Sequence, residues 1–389
     1  MKGNYNFDKI IDRHGTYTYK LGMLKDLFGR EDLLPLWVAD MDFETCPAIV
    51  EALQTRMNHR VYGYTQELPG YRPSILNWLK EKQGWEIKDE WLSYIPGIVT
   101  GIGLVVNVFT EKGDKVIIQP PVYHPFRLVP EANGREVVYN PLKLVEGRFE
   151  MDFEQLESVI AGCKLFILCN PHNPGGTVWT TETLVRLAEM CAKHNVLVIS
   201  DEIHADMPLF GHRHTPFASV SEEAKQNSIT FGAPSKTFNI AGLISSYAVV
   251  PNDSIRRRFF TWLEGNGLSH APLIATTATT AAYTACDGWH EDLIAYLEGN
   301  VKLVEDFIAK EIPTIKVMRP DASFLVWLDC RELGLDHDAL NDLFVNKARL
   351  ALNDGEMFGP GGEGFMRMNI GAPRSVIQQA LEQLKKALE

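Results

Sequence analysis

The sequence predicts an α/β fold built on a mostly parallel central sheet, with a smaller α+β domain beside it. Three observations predict it. Short apolar runs rich in Val, Ile and Phe recur through the middle of the chain, bounded by Gly, Pro, Asn or Asp. Helical periodicity lies between some of them. Strands apolar on both faces and separated by helices pair in parallel, because helices must cover both faces of the sheet.

Taken in order, DKVIIQ (114–119), KLFILC (164–169), NVLVIS (195–200), SITFG (228–232) and SSYAVV (245–250) read as buried strands. TTETLVRLAEMCAKH (180–194) reads as a helix whose opening threonines can cap it. IRRRFFTWLEG (255–265) and DLIAYLEGNVKLVEDFIAKEI (292–312) carry longer helical patterns, the second leaving the central domain. Beyond it, KVMRP, SFLVWLD, ARLALN and FMRMNIG read as short strands, with helices at 335–347 and 374–388. A large domain is expected over 46–289, and a small one from 1–45 together with 290–389.

The chain has 389 residues, 45% hydrophobic and 23% charged, as in a globular protein. A net charge of −12 argues against nonspecific binding to nucleic acid or an anionic membrane. The opening MKGNYNFDKIIDRHG has no apolar h-region, and no apolar run approaches the ~18 residues of a membrane span. A cytoplasmic location is expected. Six scattered cysteines (46, 163, 169, 191, 286 and 330) form no CxxC pair, and are expected to be reduced, buried thiols.

Ligands of open parallel sheets sit outside the carboxyl ends of the strands, so the residues that follow each strand matter most. Asn170-Pro-His-Asn-Pro-Gly-Gly follows KLFILC, Asp201-Glu-Ile-His204-Ala-Asp206 follows NVLVIS, and Ala-Pro-Ser235-Lys236 follows SITFG. Singly, these read as turns, a helix cap and a stray charge. Jointly, they bring an amide, a carboxylate and a lysine to one edge. Lys236 is the only charged residue between Lys225 and Asp253, and such burial is costly for an ammonium. His212 and His214 with Asp206 have the composition of a metal cluster, but GHRH reads as a surface loop and no metal is expected. PGIVTGIG (96–103) precedes an apolar helical pattern and offers Ile98 and Val99 as backbone donors to an anion.

PLWVADMDF (35–43), VYGYT (61–65), PPVYHPF (120–126), NPHNPGG (170–176), SDEIHAD (200–206), APSKTFNIAGL (233–243) and FMRMNIGAPR (365–374) occur in this order. With them, nearly the whole chain resembles the fold-type I pyridoxal 5'-phosphate (PLP) enzymes of the class I/II aminotransferase superfamily. Within these it resembles the C–S β-lyases of the MalY/PatB, or cystathionine β-lyase, type. The resemblance implies that Lys236 holds PLP as an imine in the large domain, and that Asp201 faces the pyridine nitrogen. It further implies that Asn173 donates to the phenolic oxygen and that Tyr123 stacks on the ring. His204 stands where aminotransferases carry a tyrosine, and is open between direct contact and a supporting position. Ser235, Ile98 and Val99 would meet the phosphate, joined by Tyr64 from a partner subunit in a homodimer with shared active sites. Arg367 would hold the α-carboxylate of an amino-acid substrate, with Ala39 behind it. Asp40 and Asp42 are expected near the mouth of the site, Asp42 alternatively capping the helix at Pro47.

The usual phosphate arginine eight positions after the lysine is Ile244 here, a departure shared with the β-lyase subgroup. The expected activity is elimination of a thiol from cystathionine or a cysteine S-conjugate, giving pyruvate and ammonia. The alternatives are an aminotransferase on the same scaffold, and a regulatory protein that keeps the PLP fold and acts by contacting another protein.

Overall fold

The computed structural model describes residues 5–389. Its centre is a seven-stranded sheet in the order Leu92–Ile95, Ser246–Val249, Ser228–Gly232, Leu197–Asp201, Cys163–Cys169, Lys115–Ile118 and Glu136–Tyr139. Pairing is parallel from Ser228–Gly232 through Glu136–Tyr139, while Ser246–Val249 runs antiparallel to both of its neighbours. The central strands Leu197–Asp201 and Ser228–Gly232 are buried at every position. That is why their apolar runs show no alternation.

Helices cover both faces. In Thr181–Lys193 the buried residues Leu184, Leu187, Ala188 and Cys191 fall on one face at helical spacing, and the Thr180 hydroxyl accepts from the Thr183 amide as expected. Such a cap is worth ~1 kcal/mol. The 25-residue helix Asp287–Glu311 runs from the central layer to a second, four-stranded antiparallel sheet. Its buried Asn300 donates from Nδ2 to the carbonyls of Ile370 and Ala372. The second sheet comprises Lys316–Met318, Leu325–Asp329, Phe365–Asn369 and Asn353–Asp354. Leu34–Pro35 pairs in parallel with Leu350–Ala351, which ties the N-terminal segment to this second layer.

Three expectations need correction. Cys46 and Cys286 are joined in a disulfide with their Cα atoms 6.1 Å apart; only Cys163, Cys169, Cys191 and Cys330 are free thiols. The pair closes where the start of Pro47–Asn58 packs against the end of Leu273–Ala285, a contact that 240 residues of separation hide from the sequence. His214 does not sit in a surface loop: it is buried, with Nε2 2.8 Å from Glu202 Oε2. Asp42 caps no helix, because the position before Pro47–Asn58 is Cys46 and the Asp42 carboxylate is engaged by Arg13 and Lys20.

Candidate active site

The carboxyl ends of the parallel strands open onto a cavity of about 660 Å³. Asp201 closes its own strand and faces the cavity, Asn173 follows Cys163–Cys169, and Tyr123 follows Lys115–Ile118. Ser235 and Lys236 follow Ser228–Gly232, and Arg367 comes across from the second sheet on Phe365–Asn369. The first turn of Ile98–Phe109 supplies Ile98 and Val99 to the wall. Gly97 before it adopts φ +98°, a conformation that turns the chain sharply into the helix and suits glycine alone. The first amides of a helix have no intrahelical acceptor, so they point at the cavity with the positive end of the dipole.

The electrostatics are set by burial. Asp201 is pushed up from its ordinary 3.8 to about 7 by burial, against the lowering effect of the Ile203 amide on Oδ1 and of Lys236. Among the described residues no cation pairs with it. Lys236 is pushed down to about 8, first by burial and then by the Arg367 guanidinium, and its Nζ donates to the Ala39 carbonyl at 2.6 Å. Arg367 is 5% exposed and has no carboxylate partner among the described residues. Its Nη1 donates to Asn173 Oδ1 at 2.9 Å, its Nη2 to the Trp37 carbonyl at 3.0 Å and Asn353 Oδ1 at 2.5 Å, and its buried Nε has no partner.

A guanidinium only donates, so the Asn173 oxygen must face Arg367 and its NH2 is left for another acceptor. Burial pushes the Tyr123 hydroxyl up and holds His204 down to about 3, so His204 is neutral. Its Nδ1 lies 3.1 Å from the Ser323 hydroxyl.

The structure therefore brings together Lys236, Asp201, Asn173, Tyr123, His204, Ser235, Ile98, Val99, Ala39 and Arg367 in one cavity. It does not bring in Tyr64, which is fully exposed on the surface of its own chain. Ile244 is a wall residue with φ +53°, and among the described residues Lys236 and Arg367 are the only lysine and arginine in the lining. Sequence reasoning missed Tyr19, Leu27, Trp37, His124, Asn353 and Met357 in the walls. PLWVADMDF pointed at Trp37 and PPVYHPF at His124; the others carry no local signal.

A lysine-centred cavity at the carboxyl edge of an α/β sheet, with a buried arginine that has no carboxylate partner among the described residues, defines an enzyme of the aminotransferase fold class. A family model for aminotransferase class I and II matches residues 31–384, and the chain belongs to that family. Cystathionine beta-lyase PatB of Bacillus subtilis (strain 168) is 44% identical over 385 residues, 98% of this chain and 100% of that one. Among solved structures, cystalysin from Treponema denticola, which contains a PLP cofactor, superposes with a TM-score of 0.95 at 34% identity, over 99% of this chain and 98% of that one. A PLP-bound C-S lyase from Staphylococcus hominis gives 0.92 at 34% identity, over the same shares.

Proposed function

We propose that this chain is a PLP-dependent carbon–sulfur β-lyase that releases a thiol, pyruvate and ammonia from cystathionine or a related cysteine S-conjugate. The single observation that carries the cofactor assignment is Asp201: a buried carboxyl in the cavity wall that accepts one backbone amide and is ion-paired with no side chain among the described residues is suited to a cationic ligand. A protonated pyridine nitrogen is such a ligand. The other residues fit the same group. Lys236 supplies the amine that links it, the Asn173 NH2 suits the phenolic oxygen, and Tyr123 presents a ring. His204, neutral and beside Ser323, fits a supporting position. The amides of Ile98 and Val99 with the Ser235 hydroxyl suit the phosphate.

When bound, PLP supplies an electron sink for the charge left at the substrate's Cα. Arg367 holds the α-carboxylate and fixes which Cα bond is presented. Lys236, its pKa lowered to about 8, takes the Cα proton as a free amine. The electron pair so released forms the Cα–Cβ double bond as the Cβ–S bond breaks, and the thiolate leaves with the sulfur electrons. Water converts the resulting aminoacrylate to pyruvate and ammonia.

Several finer points belong to the same reading. PLP sits in a large domain over 46–289, with 1–45 and 290–389 forming the small one. Two chains pair so that the exposed Tyr64 of each offers a neutral hydroxyl donor to the other's phosphate, while the helix dipole at Ile98 supplies partial positive charge where Ile244 supplies none. The enzyme acts in the cytoplasm; among the described residues no helix is long and apolar enough to cross a membrane. Incubation of the purified holoenzyme with cystathionine tests the function. The expected products are thiol, pyruvate and ammonia, and their absence at full cofactor occupancy overturns it.

A further inference from the structure

We propose that Lys20 and Arg13 are positioning residues for proton transfer: they lock Asp40 and Asp42, and through them the Ala39 carbonyl that receives the free amine of Lys236. Lys20 is 1% exposed, which is unusual for a lysine unless it is fully paired. Its Nζ lies 2.9 Å from Asp40 Oδ1, 3.0 Å from Asp42 Oδ2 and 3.2 Å from the Asp40 carbonyl. Arg13 closes the other side, with Nη2 2.7 Å from Asp40 Oδ2 and Nη1 2.6 Å from Asp42 Oδ1. Two cations and two carboxylates thus interlock on the six-residue stretch 37–42.

That stretch is fixed to the site at three further points. The Trp37 carbonyl accepts from Arg367, the Ala39 carbonyl from Lys236, and the Val38 and Asp40 carbonyls from Asn369 Nδ2. The Trp37 indole donates back to the Lys20 carbonyl at 3.0 Å. Tyr19, next to Lys20, lines the cavity itself. The N-terminal segment and the reacting amine are therefore joined through one short piece of backbone. The hydrogen bond to Ala39 fixes where the Lys236 nitrogen sits, while burial and Arg367 lower its proton affinity toward the free amine that must take the Cα proton. An acceptor carbonyl that can shift by an ångström would let that amine drift out of line, a loss that reaches about 100-fold in rate.

The cluster also sets the field at Lys236. The charged groups facing it are Arg367, Asp40, Asp201 and Lys20, with neutral His204 and Tyr123 completing the wall. Asp40 raises the lysine's proton affinity and Lys20 lowers it. Removing Lys20 leaves Asp40 less compensated, so the site should hold its proton to higher pH.

The inference rests on Lys236 as the cofactor-linked base, and that premise fails separately. Unsubstituted holoenzyme whose reduction leaves no cofactor label on Lys236 overturns the premise. For the cluster, Lys20→Met, Lys20→Arg and Arg13→Gln holoenzymes are compared by spectrophotometric pH titration of the bound-cofactor band and by steady-state kinetics. In Lys20→Met the titration midpoint should move to higher pH, and kcat should fall about ten-fold with KM little changed. Lys20→Arg should restore both. A folded, fully loaded Lys20→Met enzyme with the wild-type midpoint and kcat overturns the proposal, as does Lys20→Arg behaving like Lys20→Met. If Lys20→Met fails to fold, Arg13→Gln decides: it replaces a partly exposed residue and should shift the midpoint the same way, and an unshifted midpoint overturns the proposal.

Discussion

Replacing Asp201 by asparagine should stabilise the apoenzyme and destabilise the holoenzyme relative to wild type. Burial carries the Asp201 carboxyl from 3.8 to about 7. Below pH ~4 the group is protonated whether the chain is folded or not, and there is no penalty. Between pH ~4 and ~7 the unfolded chain releases the proton while the folded chain keeps it, so stability falls as pH rises. Above pH ~7 the whole cost is present, roughly 4 kcal/mol at ~1.4 kcal/mol for each pH unit separating the two states. The substituted side chain never ionises, and its amide oxygen can still accept from the Ile203 backbone amide.

At pH 8, apo Asp201→Asn should therefore gain up to about 4 kcal/mol, or about 5 °C in Tm at the usual unfolding entropy per residue. At pH 4 the two apoproteins should melt together. PLP should reverse the sign, because a protonated ring nitrogen facing position 201 would form an ion pair with the carboxylate and only a neutral hydrogen bond with the amide. The assay is thermal or urea unfolding of both proteins with and without cofactor across pH 4–8. Equal stability of the two apoproteins at pH 8 would refute a carboxylate that is buried without a cation and kept for the cofactor.

Other outcomes follow from the same geometry. Arg367→Lys keeps the charge but loses the fork; at roughly 1.5–3 kcal/mol for a charged hydrogen bond, kcat/KM should drop roughly 10- to 100-fold, and a change under two-fold in steady-state assays would remove Arg367 from carboxylate binding. Activity should rise with pH as Lys236 loses its proton near 8, and a pH–rate profile flat from 7 to 9 would contradict it as the base. Gly176→Ala should cost several kcal/mol in unfolding experiments. Its φ is +70° and an added Cβ would lie 2.5 Å from Pro320 Cβ and 2.8 Å from its Cα, so an unchanged midpoint would contradict that packing.

Strand-end chemistry was legible in the sequence because each parallel strand announces itself as an apolar run and its ligand follows within a few residues. Asp201 and Lys236 were singled out in this way, whereas the choice of Asn173 over Asn170 needed the family resemblance. Arg367 needed its motif, since one arginine on a short strand looks like a surface ion pair until the second sheet brings it over the cavity. The Cys46–Cys286 bond, the burial of His214 on Glu202 and the grip of Lys20 and Arg13 on Asp40 and Asp42 were not legible. Each joins residues from different parts of the fold and leaves no local pattern. His214 illustrates the difficulty: GHRH has the polarity of a loop, yet its second histidine is drawn inward by a buried carboxylate.

Single-turnover product analysis with cystathionine tests the central claim most directly. One active-site equivalent of holoenzyme should yield one equivalent each of thiol and pyruvate, and the cofactor should be recovered as PLP. Recovery of pyridoxamine phosphate with a 2-oxo acid that retains the sulfur would contradict β-elimination and place the chemistry with the aminotransferases.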